Sequence, residues 1–234
     1  MNSLEPIPPP TPKGSSIEGV VAAVNAVYAK VERDRLAFLA AAADRGVPLI
    51  CPPGCGACCE PFVPDILQAE AAYAAAWILE RAPDLAREIA AWKKRLDPAM
   101  PPCPFLLSLG DGARCAIYPA RFLVCRLFGA SGIRDKEGRA AFRPCARMPL
   151  PEAYPERADR RALTGGDLAE AFGTEPPFMA DYATELAGLF PSESGERLSV
   201  LEALPSALLR IELILSLAAR ASDRTYFKHD ESEE

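Results

Sequence analysis

Hydrophobic residues recur three and four positions apart along most of the chain, which predicts a mainly α-helical fold. The first such stretch predicts a helix over Ser16–Ala43, ended by Gly46 and Pro48. The same spacing predicts further helices over Pro64–Arg81, Asp84–Leu96, Thr164–Phe172, Pro177–Phe190 and Ser199–Ala221. Helices of this number and length can surround one sizeable core in a chain of 234 residues.

The pattern changes between residues 98 and 145, where prolines and turn residues replace the helical periodicity. Four prolines fall between 98 and 104, and proline cannot donate the hydrogen bonds that a helix or central strand needs. We expect loops here, with a brief helix around Arg121–Phe128 and short strands near Ile133 and Phe142 that flank a turn. With few apolar residues for its length, this region should be weakly stabilised by itself.

These patterns divide the chain into three parts. Residues 1–14 are rich in proline and predict a disordered N-terminus. Residues 15–222 predict a single helical domain that contains the segment 51–145, and residues 223–234 form an acidic tail. The predicted architecture is therefore a helical body around an irregular, cysteine-rich core.

The segment 51–145 holds all eight cysteines of the protein, while the single histidine, His229, lies in the tail. The candidate metal ligands are Cys51, Cys55, Cys58, Cys59, Cys103, Cys115, Cys125 and Cys145. Cys55-x-x-Cys58 has the spacing with which a tight turn directs two sulfurs at one ion, and Gly54 and Gly56 permit that turn. A thioredoxin-like redox motif shares the spacing, but no βαβ pattern surrounds it here.

Metal binding explains eight cysteines better than disulfides do. The first thirteen residues lack the apolar stretch of a signal peptide, so we expect a cytoplasmic protein, in which stable disulfides are rare. A structural thiolate zinc site contributes about 10–16 kcal/mol, whereas a disulfide contributes about 2–5 kcal/mol. Sulfur ligands suit zinc and iron–sulfur clusters equally well. Spacing leaves open whether there are two four-ligand sites or one site with additional thiols. The adjacent Cys58 and Cys59 could serve different sites.

Charge adds candidate residues around the thiols. Residues 101–150 carry a net charge of +5, against −11 for the rest of the chain, and nearby guanidinium groups lower thiol pKa values. Tyr118, Arg121 and Arg126 lie between cysteines, and their donors could hydrogen-bond to the sulfurs of a bound cofactor. The overall charge of −6 argues against a general nucleic-acid binder. The most apolar stretch, 208–219, is too short and too charged to span a membrane.

The cysteine motifs resemble those of the CxxCxxCC family of zinc- or iron-chelating proteins. The matching residues are the first four cysteines, Cys103-Pro-Phe-Leu106, Cys115-Ala-Ile-Tyr118, Arg121 and Cys125-Arg-Leu-Phe128. Two features depart from the family pattern. Three residues instead of two separate the first two cysteines, and Phe122 replaces the usual proline after Arg121. The resemblance implies metal binding and leaves the chemistry undefined.

Three functions are compatible with these observations. The first is a protein with a cysteine-ligated zinc or iron–sulfur centre and no further defined activity. The second is an iron–sulfur-dependent oxidoreductase or a lysine methyltransferase-like enzyme, since proteins similar to the flagellin lysine methyltransferases carry the same cluster. The third is a zinc-stabilised interaction module whose helices or basic segment bind a protein partner. Thiol–disulfide exchange is a further alternative, but no nucleotide loop or nucleophile motif indicates a particular reaction.

Overall fold

The computed structural model describes residues 17–92, 102–109, 112–155, 163–189 and 195–230. The predicted disordered N-terminus (1–14) and the last four residues of the predicted acidic tail lie outside these ranges. The described part is mainly α-helical, as the periodicity predicted. Its helices are α1 (Glu18–Asp44), α2 (Gln68–Arg81), α3 (Pro83–Ala90), α4 (Leu123–Leu127), α5 (Gly166–Phe172), α6 (Met179–Ala187) and α7 (Val200–Asp230).

Seven short strands form three small antiparallel sheets in the described ranges. The strands are β1 (Asp65–Leu67), β2 (Leu106–Leu109), β3 (Gly112–Cys115), β4 (Ile133–Arg134), β5 (Ala140–Phe142), β6 (Leu163–Thr164) and β7 (Arg197–Ser199). β1 pairs with β7, β2 pairs with β3, and β5 lies between β4 and β6. The first sheet joins the start of α2 to the start of α7 and so fixes where both helices begin.

The larger hydrophobic core forms where α2 packs against α1, α3 and α7. α2 is rich in alanine and buried on nearly every side, so its neighbours approach closely. α1 contributes Val24, Tyr28 and Val31, and α7 contributes Leu204 and Ile211, all of them buried. Removing these side chains from water stabilises the fold by about 1.5–3 kcal/mol for each fully buried large residue.

A second hydrophobic core lies at the C-terminal half of α1. Its centre is three phenylalanines, Phe38 of α1, Phe142 of β5 and Phe172 of α5. Their ring centroids are 5.2–5.4 Å apart in edge-to-face pairs, the geometry that aromatic rings prefer. This core holds the β4–β5 hairpin, and with it the region that precedes Cys145, against α1.

The structure confirms the predicted helices over α1, α4 and α6 and the strands near Ile133 and Phe142, but it changes several boundaries. α2 begins at Gln68 and not at Pro64, because Asp65–Leu67 pairs with β7 as a strand. α3 ends at Ala90, whereas the predicted helix continued to Leu96, and residues 93–96 lie outside the described ranges. α7 continues to Asp230 and accommodates Pro205 within its first turns.

The cysteine-rich middle is more regular than the sequence indicated. Residues 106–115 were expected to form loops, yet β2 and β3 form an antiparallel hairpin in which Leu106 is paired with Cys115. Leu163–Thr164 forms an edge strand of the three-stranded sheet, although Thr164 was predicted to begin a helix. Among the described residues, no helix combines the length and apolar character needed to cross a membrane.

The aromatic core predicts a large effect of one truncation. Phe172→Ala should lower the free energy of unfolding by about 3–5 kcal/mol, because it leaves a cavity among buried rings. Denaturant unfolding followed by circular dichroism measures this change. Phe128→Ala is the matched control: its ring is 44% exposed, so we expect only a small loss of stability. Equal losses in the two variants would contradict the role assigned to the second core.

Candidate metal centre

The first four cysteines lie on a loop of two consecutive tight turns between α1 and β1. The Cys55 amide donates to the Pro52 carbonyl (3.2 Å), and the Cys59 amide donates to the Gly56 carbonyl (2.8 Å). Gly54 has a φ of 68°, a left-handed conformation that favours glycine. Gly54 therefore permits the turn that ends at Cys55, whereas the turn predicted over Cys55–Cys58 is displaced by one residue to Gly56–Cys59.

The loop is fixed against the β2–β3 hairpin by close backbone contacts. The Ala113 amide donates to the Gly54 carbonyl (2.8 Å), and the Cys103 amide donates to the Cys59 carbonyl (2.8 Å). A β-carbon on Gly56 would lie 2.7 Å from Cβ of Ala113, so this glycine is needed for close approach. The Cys51–Cys59 loop is thereby held beside the β2–β3 hairpin, although about 50 residues separate them in the sequence.

The four later cysteines occupy different elements around this contact. Cys103 precedes β2 and is buried, and Cys115 ends β3. Cys125 lies in α4, and Cys145 follows β5 and packs against the second core. Among the earlier thiols, Cys51 is exposed and the other three are partly buried. All eight cysteines belong to the described residues, and none of them forms a disulfide.

Sulfur atoms from the two halves of the segment are in contact. The Sγ atoms of Cys58 and Cys59 are 3.8 Å apart. The Cys59 thiol also hydrogen-bonds to the sulfur of Cys103, and this contact raises the pKa of Cys59 and lowers the pKa of Cys103. A thiol of the first loop and a thiol of the later part of the segment therefore lie in contact at this point.

Burial and neighbouring thiols oppose ionisation of Cys115 and Cys125. Burial raises the pKa of Cys125 to about 12, with further contributions from Cys115, Cys59 and the carboxyl of Glu70. Burial likewise raises the pKa of Cys115 to about 11. The positive charge of Arg121 acts in the opposite direction on both thiols. These thiols therefore stay protonated near neutral pH unless a cation compensates their charge.

The donor set has the chemistry of a thiolate metal site, although the side chains are not arranged around a common point. Within residues 17–92, 102–109, 112–155, 163–189 and 195–230, no three His, Cys, Asp or Glu side chains are placed to hold one ion. Ligation would therefore require thiol rotation and small loop shifts.

Tyr118, Arg121 and Arg126, the three residues predicted to contact a cofactor, lie in the segment that carries Cys115 and Cys125. The guanidinium of Arg121 is 4.2 Å from the ring of Tyr118, and its Nη2 donates to Glu32 (2.8 Å). Arg126 is buried and donates to Glu32 (3.3 Å) and to the Pro119 carbonyl (2.8 Å). Its guanidinium lies over the ring of Tyr28. The Nε–H groups of both arginines are buried and donate to no acceptor among the described atoms.

Glu70, whose role no sequence pattern indicated, organises this region. Glu70 lies in α2 and is 1% exposed. Its Oε1 accepts hydrogen bonds from the Tyr28 hydroxyl (3.0 Å) and the Leu123 amide (2.7 Å), and its Oε2 accepts one from the Leu67 amide (3.0 Å). The carboxyl thus caps the first turns of both α2 and α4. Its signal in the sequence was a lone acidic residue within the alanine-rich stretch of α2.

Glu32 of α1 is a second acidic residue that the sequence analysis left unassigned. It accepts hydrogen bonds from Arg35 (2.9 Å), Arg121 and Arg126. Although burial opposes ionisation, Arg121 and Arg35 hold the pKa of Glu32 below its usual value. The charge of Glu32 thereby fixes two of the three predicted cofactor-contacting residues, Arg121 and Arg126, against α1.

Comparison with known proteins identifies the cysteine segment. Residues 50–146 match the CxxCxxCC family model, described as "Putative zinc- or iron-chelating domain", which confirms the resemblance carried by the motifs. The matched range contains all eight cysteines. No curated protein and no solved structure matches the chain. The family description supports chelation of zinc or iron and specifies no activity.

The Glu70 junction predicts a strong effect of a single substitution. Glu70→Ala should lower the free energy of unfolding by at least about 3 kcal/mol, because it leaves two buried backbone amides and a buried hydroxyl without an acceptor. Urea unfolding of the purified variant measures the loss. Glu80→Ala, on the exposed end of the same helix, is the control and should change stability by less than about 0.5 kcal/mol. A loss for Glu70→Ala no larger than that control would contradict the assignment.

Proposed function

We propose that this protein binds zinc or an iron–sulfur cluster through cysteine thiolates and that the helical body surrounds this centre. The ligands are drawn from Cys51, Cys55, Cys58, Cys59, Cys103, Cys115, Cys125 and Cys145. The observation that carries the proposal is the docking of the Cys51–Cys59 loop on the β2–β3 hairpin, which brings the Cys59 thiol to Cys103. A reducing compartment such as the cytoplasm would keep these thiols available for metal.

The energetics of the segment support a bound metal. The sheets formed by β2–β3 and β4–β6 have strands of two to four residues, so their ladder hydrogen bonds contribute little. A structural thiolate site supplies about 10–16 kcal/mol. That free energy is comparable with the whole stability of a typical domain, about 5–15 kcal/mol. A metal centre would therefore fix the loops that short strands leave weakly held.

Arg121 is the residue outside the cysteines that the proposal assigns most directly. The pKa values of Cys58, Cys115 and Cys125 are raised, by the hydrogen bond to Cys59 at Cys58 and by burial at the other two. The charge of Arg121 opposes this rise at all three thiols and so favours the thiolate form that a metal requires. Its buried Nε–H has no acceptor among the described atoms and is available to a sulfur ligand. Tyr118 covers the guanidinium, and Arg126 shares its carboxylate partner. The two arginines would therefore place positive charge beside the centre, with the Tyr118 ring against one of them.

Metal analysis tests the proposal. Protein purified without oxygen should contain at least one zinc, or iron with matching sulfide, per chain, measured by elemental analysis together with an absorption spectrum. A brown protein with a broad band near 400 nm would indicate an iron–sulfur cluster and favour the oxidoreductase or methyltransferase-like alternative. A colourless zinc protein would favour the interaction module. Metal content well below one atom per chain for both elements would overturn the proposal.

Substitution of Cys125 should reduce the metal content of the protein. Cys125→Ser removes a thiol from α4 and should lower the metal bound per chain, because serine is a poor ligand for zinc or iron at neutral pH. Val124→Thr is the matched control, since it adds a hydroxyl to the same helix and keeps every thiol. Full metal content in a folded Cys125→Ser protein would exclude this cysteine as a ligand.

Arg121 should affect metal affinity through the thiols. Arg121→Gln is expected to weaken binding about 10- to 100-fold, the usual cost of removing a group that supports metal ligands. Competition with a chelator measures the affinity, and circular dichroism checks the fold. Arg114→Gln, an exposed change on β3, should leave the affinity unaltered. If Arg121→Lys restores binding, the charge matters more than the shape of the guanidinium.

A further inference from the structure

Burial separates the eight cysteines into an inner and an outer set. Cys103 belongs to the larger hydrophobic core, and Cys59, Cys115 and Cys125 pack against the same core. Cys145 packs against the second core instead. Cys51 is exposed on the first loop, and neither core includes Cys55 or Cys58. The two sets therefore have different surroundings.

The backbone holds the inner set together. The Cys103 amide donates to the Cys59 carbonyl, and the Leu106 amide donates to the Cys103 carbonyl (2.9 Å). Leu106 is paired with Cys115 across the hairpin, which places Cys115 one short turn from Cys103. Cys125 joins them from α4, whose first turn is fixed by Glu70. Every inner thiol is thus attached to an element that the larger core holds in place.

Cys145 is placed with the outer set by its surroundings. It packs against the second core, which contains Leu49, two residues before Cys51. The vicinal pair Cys58–Cys59 lies at the border between the two sets, because Cys59 packs against the larger core and Cys58 belongs to neither core.

From this division we infer that the eight cysteines form two adjacent four-thiol metal sites. The inner site consists of Cys59, Cys103, Cys115 and Cys125, and the outer site consists of Cys51, Cys55, Cys58 and Cys145. The inference rests on the proposed function and extends it to the number of centres and the ligands of each. Cys58 and Cys59 ligate different ions, and the 3.8 Å between their sulfurs places the two sites side by side.

Burial gives the two sites different accessibility to chelators. Solvent reaches the outer site through Cys51, which is exposed, whereas the inner site lies behind Cys103, which is 7% exposed. A chelator should therefore remove the outer ion first. The inner ion should leave only when the loop separates from the β2–β3 hairpin.

Cobalt titration of the metal-free, reduced protein tests the inference. Thiolate-to-cobalt absorption and native mass spectrometry should show two ions per wild-type chain. The double variants Cys115→Ser/Cys125→Ser and Cys51→Ser/Cys145→Ser should each bind one ion. Saturation of the wild type at one ion, or loss of all cobalt from both double variants, would overturn the two-site arrangement while leaving the proposed function intact. A wild-type protein that binds no cobalt would overturn both.

Alkylation of the wild-type chain provides a test that does not depend on the folding of variants. Protein loaded with two equivalents of zinc is treated with a limiting amount of chelator and then with an alkylating reagent, and peptide mass spectrometry locates the modified cysteines. We expect Cys51, Cys55, Cys58 and Cys145 to lose protection together while the inner four stay protected. Simultaneous loss of protection at all eight, or at a mixture of the two sets, would contradict the assignment.

Discussion

The carboxyl group of Glu70 is the contact on which the arrangement of the cysteine region depends. A buried carboxyl is costly unless its oxygens are hydrogen-bonded, and here they accept three hydrogen bonds from α1, from the residue before α2 and from the first turn of α4. One side chain therefore fixes the relative positions of three helices. Cys125 lies in the helix that Glu70 caps, so the placement of this thiol depends on a residue of α2.

Around this contact the structure combines two kinds of constraint. The larger core is apolar and tolerates small adjustments, whereas the polar contacts of Glu70, Glu32 and the two arginines are directional. The Cys51–Cys59 loop has no regular secondary structure, and backbone hydrogen bonds to the hairpin fix its position. The thiols consequently lie on segments that are anchored at one side and adjustable at the other, as ligands that must rotate toward a metal require.

The helices were predictable because burial of one face leaves a periodic signal, as in the valines of α1. The β2–β3 hairpin was missed because nearby prolines suggested loops, although Gly110-Asp111, the two residues between the paired Leu109 and Gly112, is a recognised hairpin sequence. Glu70 could not be assigned from the sequence, since its partners are two backbone amides and a tyrosine 42 positions away. The eight cysteines were evident from spacing alone, but which of them pack against a hydrophobic core depends on tertiary contacts that no local pattern encodes.

α1 takes part in both hydrophobic cores, which has a consequence for how the protein unfolds. Its 27 residues span about 40 Å, with Tyr28 in the larger core and Phe38 in the second. An unbroken helix cannot lose its packing at one end without exposing apolar surface and loosening hydrogen bonds toward the other. The two halves of the molecule should therefore share one cooperative transition, and amide protons in the middle of α1 should exchange only when the whole fold opens.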